Sequence, residues 1–223
     1  MHSHLLCGID DGVKTMEESI GLICELKSMG YRKLITTPHV MSDFYRNPSS
    51  LILQKLDELR AALAFENIDM EMAAAAEYYL DHEFIGRMDS EKLLTFGKNY
   101  LLFEISYLNL PDNLTEAVFK MQLAGYTPLL AHPERYPFWY GNFSEYERVK
   151  DSGVLFQLNI NSLSGYYSPQ AKRIAEKLID LNMIDMVGSD LHHQKHLDAL
   201  KRSASEKYFR KLLDSGKLLN PGL

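Results

Sequence analysis

Short apolar runs and helix-period stripes take turns along this chain, and polar residues punctuate the ends of the runs. Met16, Ile20, Ile23 and Leu26 recur at helical spacing behind Thr15-Met16-Glu17-Glu18, a capping-box match, and Gly30 supplies a stop. Lys33-Leu34-Ile35-Thr36-Thr37 predicts a short strand ending at Pro38-His39. Asn47-Pro48 predicts a helix start by cap and first-turn chemistry, with Ile52, Leu56, Leu59 and Leu63 as its buried stripe. A strand through 68–72 runs on by an alanine stretch to Glu77. Another, over 100–105, carries Glu104 inside its apolar run. Helix is expected over 112–124 up to Gly125, and strand over 127–131, leading into His132-Pro133-Glu134-Arg135. A short helix (143–151) and a strand (154–158) opening into Asn159-Ile160-Asn161 follow. Ser168-Pro169 starts a helix through Leu181, a strand spans 183–188, and two helical segments finish the chain.

Repeated strand–helix units with short apolar strands indicate parallel pairing with helices outside, hence an α/β barrel or a doubly wound sheet. Six strands follow Met1. A seventh is expected where His2-Ser3-His4 stands, yet only Met1 precedes it, so that first strand is nearly absent. No internal repeat, low-complexity segment or long linker divides the 223 residues, and a single domain, 1–223, is expected.

With 46% hydrophobic and 24% charged residues the chain can bury a core. Its net charge of −6 argues against the broad basic face of a nucleic-acid or anionic-membrane binder. No run reaches the roughly 18 to 20 apolar residues of a membrane span, and MHSHLLCGIDDG has neither the basic start nor the apolar stretch of a secretory signal. Cys7 and Cys24 make a poor disulfide framework, and free thiols in a reducing cytoplasm are expected.

The chemistry lies at the strand ends. A strand projects alternate residues to one side, so His2 and His4 aim two imidazoles at one point. His39, Glu77, Glu104, His132, and Asp190 with His192 each end or follow an apolar run, where barrel folds carry their function. An isolated H-x-H is more often a surface pair; the nearby Asp10-Asp11-Gly12 and the other strand-end residues reverse that reading. Glu104 is the most telling, because a carboxylate within Leu-Leu-Phe-Glu-Ile-Ser is costly to bury without a cation or an ion-pair partner. Arg135 suits bidentate contact with phosphate, although a lone Arg is more often a surface pair former. His193 and His196 read as bystanders, and His82 has no supporting context. Mixed His and carboxylate ligands without Cys suit Zn²⁺, Mn²⁺ or Fe²⁺, and their number implies two or three ions. Phosphate-loop, dinucleotide, H-E-x-x-H, nucleophile-elbow and cysteine-phosphatase signatures are all missing.

The set H-S-H-L-L-C-G-I-D-D-G, T-T-P-H, A-A-A-E-Y-Y, F-E-I-S, A-H-P-E-R-Y and G-S-D-L-H-H resembles the polymerase-and-histidinol-phosphatase (PHP) superfamily. Within it, the chain is most similar to the bacterial metal-dependent protein tyrosine phosphatases of capsule and exopolysaccharide loci, the CpsB/YwqE type. The resemblance implies a distorted seven-stranded (β/α) barrel with a trinuclear site; the oxygen-rich ligand set favours manganese or iron as the working metal, with zinc an alternative. One ion would be held by His2, His4, Glu77 and Asp190; a second by Glu77 as a bridge, Glu104 and His132; a third by Asp11, His39 and His192. Asp11, directly before Gly12, fits better than Asp10. Arg135 would bind the substrate phosphate, with Tyr45 and Arg46 as weaker contacts. Metal-activated hydroxide would attack phosphorus in line, without a phospho-enzyme. The implied partner is the tyrosine-rich tail of a bacterial tyrosine kinase controlling polysaccharide export. Two departures stand out: relatives carry apolar residues and an Asp before the H-x-H, and Cys7 replaces an expected proline. The runners-up are a small-molecule phosphatase of the histidinol-phosphate type and a catalytically silent binding module. A metal-dependent amidohydrolase is disfavoured by Glu77, Glu104 and Arg135. Nothing in the residues speaks to oligomeric state.

Overall fold

A computed structural model describes residues 2–223; Met1 lies outside the described residues. Helices α1 (Met16–Ser28) and α2 (Ser49–Phe65) flank strands β1 (Lys33–Thr36) and β2 (His39–Val40). Strands β3 (Glu71–Ala74) and β4 (Glu77–Tyr79) precede α3 (Phe84–Ser90), β5 (Tyr100–Glu104), α4 (Leu114–Leu123) and β6 (Thr127–Ala131). Then come α5 (Phe143–Asp151), β7 (Leu155–Asn159), α6 (Pro169–Asp180), β8 (Met186–Gly188), α7 (Gln194–Ser203) and α8 (Lys207–Asp214). Six strands form one curled parallel sheet in the order β2-β4-β5-β6-β7-β8, and β1 pairs with β3 in a second parallel sheet.

The two sheets are one surface interrupted at Pro38. Ala75 N–H donates to the Thr36 carbonyl (2.9 Å) and Glu77 N–H to the Pro38 carbonyl (3.0 Å), carrying β1–β3 pairing on into β2–β4. Thr37 instead donates to the Ser3 carbonyl at 2.7 Å. Ser3 forms a parallel bridge to Leu191, His4 N–H donates to the Leu191 carbonyl (2.8 Å), and Asp190 N–H to the His2 carbonyl (3.0 Å). Residues 2–5 thus span the gap between the end of β8 and the end of β1, although the strand expected there amounts to a single bridge.

Two helix starts follow local capping chemistry. Thr15 and Glu18 form the full capping box of α1, and the Ser168 hydroxyl accepts the Ala171 N–H at α6. The buried face of α1 is Leu22, Ile23 and Leu26, with Met16 and Ile20 half-buried beside it. Asn47 does not cap α2; its amide donates to the carbonyls of Ile9 (2.9 Å) and His39 (2.8 Å), tying the two site loops together. The expected stripe Ile52, Leu56, Leu59 and Leu63 is buried. The pattern did not announce α3, a short helix that buries only Phe84. Its start is held by Asp81, whose carboxylate accepts from Glu83 N and Phe84 N.

Period-2 alternation decides what each strand presents to the inside. Leu101 and Phe103 of β5 pack outward with the helices in the large core, whereas Tyr100 and Leu102 join Ile35, Ala75, Leu129, Ala131 and Met186 in a small inner core. Two residues beyond these inner side chains, the same face turns polar: Leu102 leads to Glu104, Ala75 to Glu77, Leu155 to Gln157 and Asn159, and Met186 through Gly188 to Asp190. The inner column is therefore apolar at the amino ends of the strands and ionisable at their carboxyl ends.

Candidate metal centre

The strand-end residues converge. His2 Nε2 lies 3.1 Å from Glu77 Oε2 and 3.2 Å from Asp190 Oδ1, and His4 Nε2 lies 3.4 and 3.3 Å from the same two oxygens. His39 Nδ1 stands 3.2 Å from Glu77 Oε2 and 3.1 Å from Glu104 Oε1. On the far side of these carboxylates, His132 Nε2 is 3.2 Å from Glu77 Oε1 and 3.7 Å from Glu104 Oε2. Asp11 Oδ1 reaches His39 Nε2 at 3.5 Å and His192 Nε2 at 3.3 Å. Three overlapping groups result: His2, His4, Glu77 and Asp190; His39, Glu77 and Glu104; and His4, Asp11, His39 and His192. Glu77, completely buried, is common to the first two.

Local backbone aims these groups. His2, His132 and Asp190 adopt positive φ (59°, 37° and 47°), a conformation non-glycine residues rarely take, and in each case the chain turns sharply at the site. Two glycines allow close approach: a Cβ at Gly12 would stand 2.3 Å from the His4 carbonyl oxygen, and one at Gly188 would stand 2.8 Å from His2 Cβ.

The donor set fits divalent cations. His2 Nε2, His4 Nε2, His39 Nδ1 and Glu77 Oε2 are buried without a hydrogen-bond partner, an expensive arrangement unless something else satisfies them. The opposite ring nitrogens of His2 and His4 are engaged, and so is Nδ1 of His192. His2 Nδ1 meets Gln157 Oε1, His4 Nδ1 meets Asp10 Oδ2 at 2.7 Å, and His192 Nδ1 meets the Asp190 carbonyl at 2.9 Å. Acceptors at Nδ1 place the proton there and leave the Nε2 lone pair facing the cluster, as a metal-ligating histidine requires. Asp10 does not face the cluster. Its carboxylate also accepts Gly12 N–H (2.9 Å) and His39 N–H (3.1 Å), so it orients His4, while the half-exposed Asp11 faces His39 and His192.

The electrostatics are those of tightly packed opposite charges. Burial opposes protonation of His2, but Glu77 and Asp190 raise it to about 10. His4 is also raised well above the ordinary range against its burial, chiefly by Asp10. Glu77 is held well below the usual carboxylate range by His2 and His39, and Asp190 by His2, although burial acts the other way on both. His132 is lowered, first by burial and then by Arg135. Cations would neutralise the carboxylates and occupy the orphaned lone pairs together.

A cavity of about 550 Å³ opens onto the cluster. Arg135 donates to Asp190 Oδ2 at 2.6 Å and stacks 3.9 Å over the Tyr167 ring, with the Tyr107 ring 5.1 Å away. Tyr45 lines the cavity parallel to the His39 ring, but Arg46 does not line it; its guanidinium is turned to the Ser42 carbonyl. His196, read from sequence as a bystander, accepts His192 N–H at 3.2 Å and lies 2.9 Å from the Asp190 carbonyl; His193 lines the rim beside it. His82 is exposed and lies outside the cavity. Sequence reading passed over Tyr107, Tyr167, Gln157 and Asn159. Asn159 donates to Asp190 Oδ2 at 3.1 Å and to the Tyr167 hydroxyl at 2.7 Å. The signal for Gln157 and Asn159 was present as polar residues on the inward period of β7.

Fold and site together define a curled parallel α/β protein built around a histidine–carboxylate cluster suited to metal ions, with a guanidinium at its mouth. The chain belongs to the capsular polysaccharide synthesis CpsB/CapC family, whose model matches residues 1–215. It is 29% identical over 196 residues to the tyrosine-protein phosphatase YwqE of Bacillus subtilis (strain 168), covering 87% of this chain and 77% of that protein. It is 25% identical over 199 residues to the tyrosine-protein phosphatase CpsB of Streptococcus pneumoniae, covering 86% and 82%. A solved structure described under YwqE from Bacillus subtilis and CpsB from Streptococcus pneumoniae, unique metal-dependent tyrosine phosphatases, superposes with a TM-score of 0.83 at 26% identity. That match covers 99% of this chain and 93% of the other.

Proposed function

We propose that residues 1–223 act as one metal-dependent phosphomonoesterase domain, a protein tyrosine phosphatase directed at the tail of a bacterial tyrosine kinase in capsule or exopolysaccharide regulation. In this reading the fold is a distorted seven-stranded barrel of the PHP type, with residues 2–5 counted as its reduced first strand. The centre takes two or three divalent ions, manganese first, with iron or zinc as alternatives, and the protein works in the cytoplasm. Among the described residues no helix is long and apolar enough to cross a membrane. One observation carries the reading: three overlapping ligand groups, two of them sharing Glu77, meet beside Arg135 at one cavity.

His2, His4, Glu77 and Asp190 would hold one ion; Glu77, Glu104 and His132 a second; Asp11, His39 and His192 a third. When bound, the ions supply positive charge against phosphoryl oxygens and a water nucleophile ionised near neutral pH. Arg135 reaches the phosphate from the mouth, its plane held by the Tyr167 ring and its position by Asp190. Tyr45 and Tyr107 give the cavity aromatic walls, and Phe44 and Leu108, 76% and 91% exposed, form apolar lips. Both lips sit on braced turns: Met41 and Tyr45 exchange backbone hydrogen bonds around Phe44, and Ser106 Oγ accepts Leu108 N–H. Such walls suit a phenyl ring, and a phenolate leaves without strong general-acid help.

Stripping the metals, with their removal verified by elemental analysis, is expected to abolish hydrolysis of p-nitrophenyl phosphate and of a phosphotyrosine peptide. Undiminished turnover by the stripped protein would refute the metal-dependent reading. Faster turnover of L-histidinol phosphate than of the peptide would move the assignment to a small-molecule phosphatase.

A further inference from the structure

A second cavity, of about 500 Å³, adjoins the first and shares Asp11, His192 and His193 with it. Its floor is apolar: Val13 and Leu22 line it, together with Gly21 of α1. A Cβ at Gly21 would meet nothing within 4 Å, so the missing side chain is room left open over the floor. Glu18 and Glu25 line the same cavity. Each is already anchored, Glu18 by the Lys14 N–H (2.7 Å) and Glu25 by the Lys201 ammonium, and the Lys14 ammonium is drawn to the Asp10 carbonyl at 2.9 Å. The centre uses only the shared ridge of this cavity and leaves the rest without a role.

We propose that this cavity is a subsite for a side chain flanking the phosphotyrosine of a polypeptide substrate, one that is neutral or basic rather than acidic. The inference rests on the phosphatase reading of the neighbouring centre. A polypeptide whose phosphate sits among the metal ligands must leave the first cavity over its rim, and the ridge of Asp11, His192 and His193 is part of that rim. Consecutive residues advance about 3.3 to 3.6 Å in extended chain, so a residue one or two positions away can reach past the ridge. The apolar floor takes a side-chain stem, while Glu18, bonded to backbone N–H groups and to no ammonium, repels a carboxylate at its tip. A glycine within a helix costs about 0.5 to 1 kcal/mol relative to alanine, and vacant space over the floor is a reason to keep one at position 21.

The test fills the room and compares two substrates on the metal-loaded enzyme. Gly21→Trp projects an indole into the second cavity, and Gly21→Ala is the control that adds only a methyl. p-Nitrophenyl phosphate needs the first cavity alone. Gly21→Trp is expected to hydrolyse it with wild-type kcat and KM, while kcat/KM for a phosphotyrosine peptide with leucine flanks falls about tenfold through KM, the worth of one lost side-chain contact. Gly21→Ala should match wild type on both substrates, and wild type should turn over the leucine-flanked peptide better than a glutamate-flanked one. A Gly21→Trp enzyme that handles the peptide like wild type overturns the subsite, as does indifference of wild type to the flanks. Should Gly21→Trp lose both activities, Gly21→Leu in the same pair of assays decides on the same criterion. Absence of p-nitrophenyl phosphate turnover by wild type strikes the phosphatase reading itself.

Discussion

Asp10 offers the sharpest test of how the centre is built, because it shapes a ligand without being one. Its carboxylate is fully buried, accepts two backbone N–H groups and pairs with His4 Nδ1 at 2.7 Å. The contact with His4 holds Asp10 well below the usual carboxylate range even though burial pushes the other way. Asp10→Asn keeps size and shape but offers one acceptor oxygen and two donor hydrogens. Asp10 Oδ1 serves Gly12 and Oδ2 serves both His4 and His39, so with the amide oxygen kept on Gly12 N–H the NH₂ faces His4 Nδ1 and donates to it, which moves the ring proton to Nε2. That nitrogen points at Glu77 and Asp190, where its lone pair has to be free for a cation. Losing a hydrogen-bond partner behind a metal ligand typically weakens metal binding about 10- to 100-fold, or ~1.4 to 2.7 kcal/mol. One lost charge-assisted hydrogen bond adds a stability cost on the order of 1.5 to 3 kcal/mol. The assay is a chelator competition for Mn²⁺ on wild type, Asp10→Asn and Asp11→Asn, with urea unfolding alongside. Asp11→Asn, half-exposed, is expected to weaken metal binding with little loss of stability, whereas Asp10→Asn should lose both. Wild-type metal affinity in Asp10→Asn would refute the tautomer reasoning.

Three further outcomes follow from the same geometry. Protons compete with cations for His2, raised to about 10, and for His4, so metal content after equilibration should fall from pH 8 to pH 5; equal retention at both would contradict the ligand assignment. Burial raises Glu134 from 4.5 to about 7, so its neutral form favours the fold. That stability is fully present below pH 4.5 and is lost as pH rises through 7, at most ~3 kcal/mol for a shift of this size. Glu134→Gln keeps an acceptor for Ser162 Oγ and Asn159 N–H and should flatten the urea-unfolding profile between pH 5 and 8; parallel profiles would sink the idea. Serine at both Phe44 and Leu108 should raise KM for a phosphotyrosine peptide about tenfold and leave an aliphatic phosphomonoester unaffected, an equal rise for both counting against the apolar lips.

Much of the centre was legible because its residues obey the strand period. Glu104 ends an apolar run, Glu77 follows alanines, and Asp190 follows Met186 and Gly188 at two-residue steps, so each lands on the inner face. The partners that orient these groups were harder to read. Tyr107 and Tyr167 come from connecting segments, and their nearness to Arg135 depends on how those segments cross the sheet mouth. Arg46 illustrates the reverse error: next to Tyr45 in sequence, it faces away because the 41–45 turn closes on itself and gives its guanidinium a backbone carbonyl. Asn47 looked like a helix cap yet donates to Ile9 and His39, since a tertiary demand for two donors outweighed the local one.

Alternating hydrophobicity, set residue by residue, determined the parallel α/β plan and put histidines and carboxylates at the carboxyl ends of strands. Tertiary structure alone decided which carboxylate two groups share, which aspartate faces the cluster, and that residues 2–5 bridge β8 and β1. The reason is distance along the chain. Period and capping act over a few residues, whereas His2 meets Gln157 and Asp190 only after every intervening strand has added its twist to the sheet.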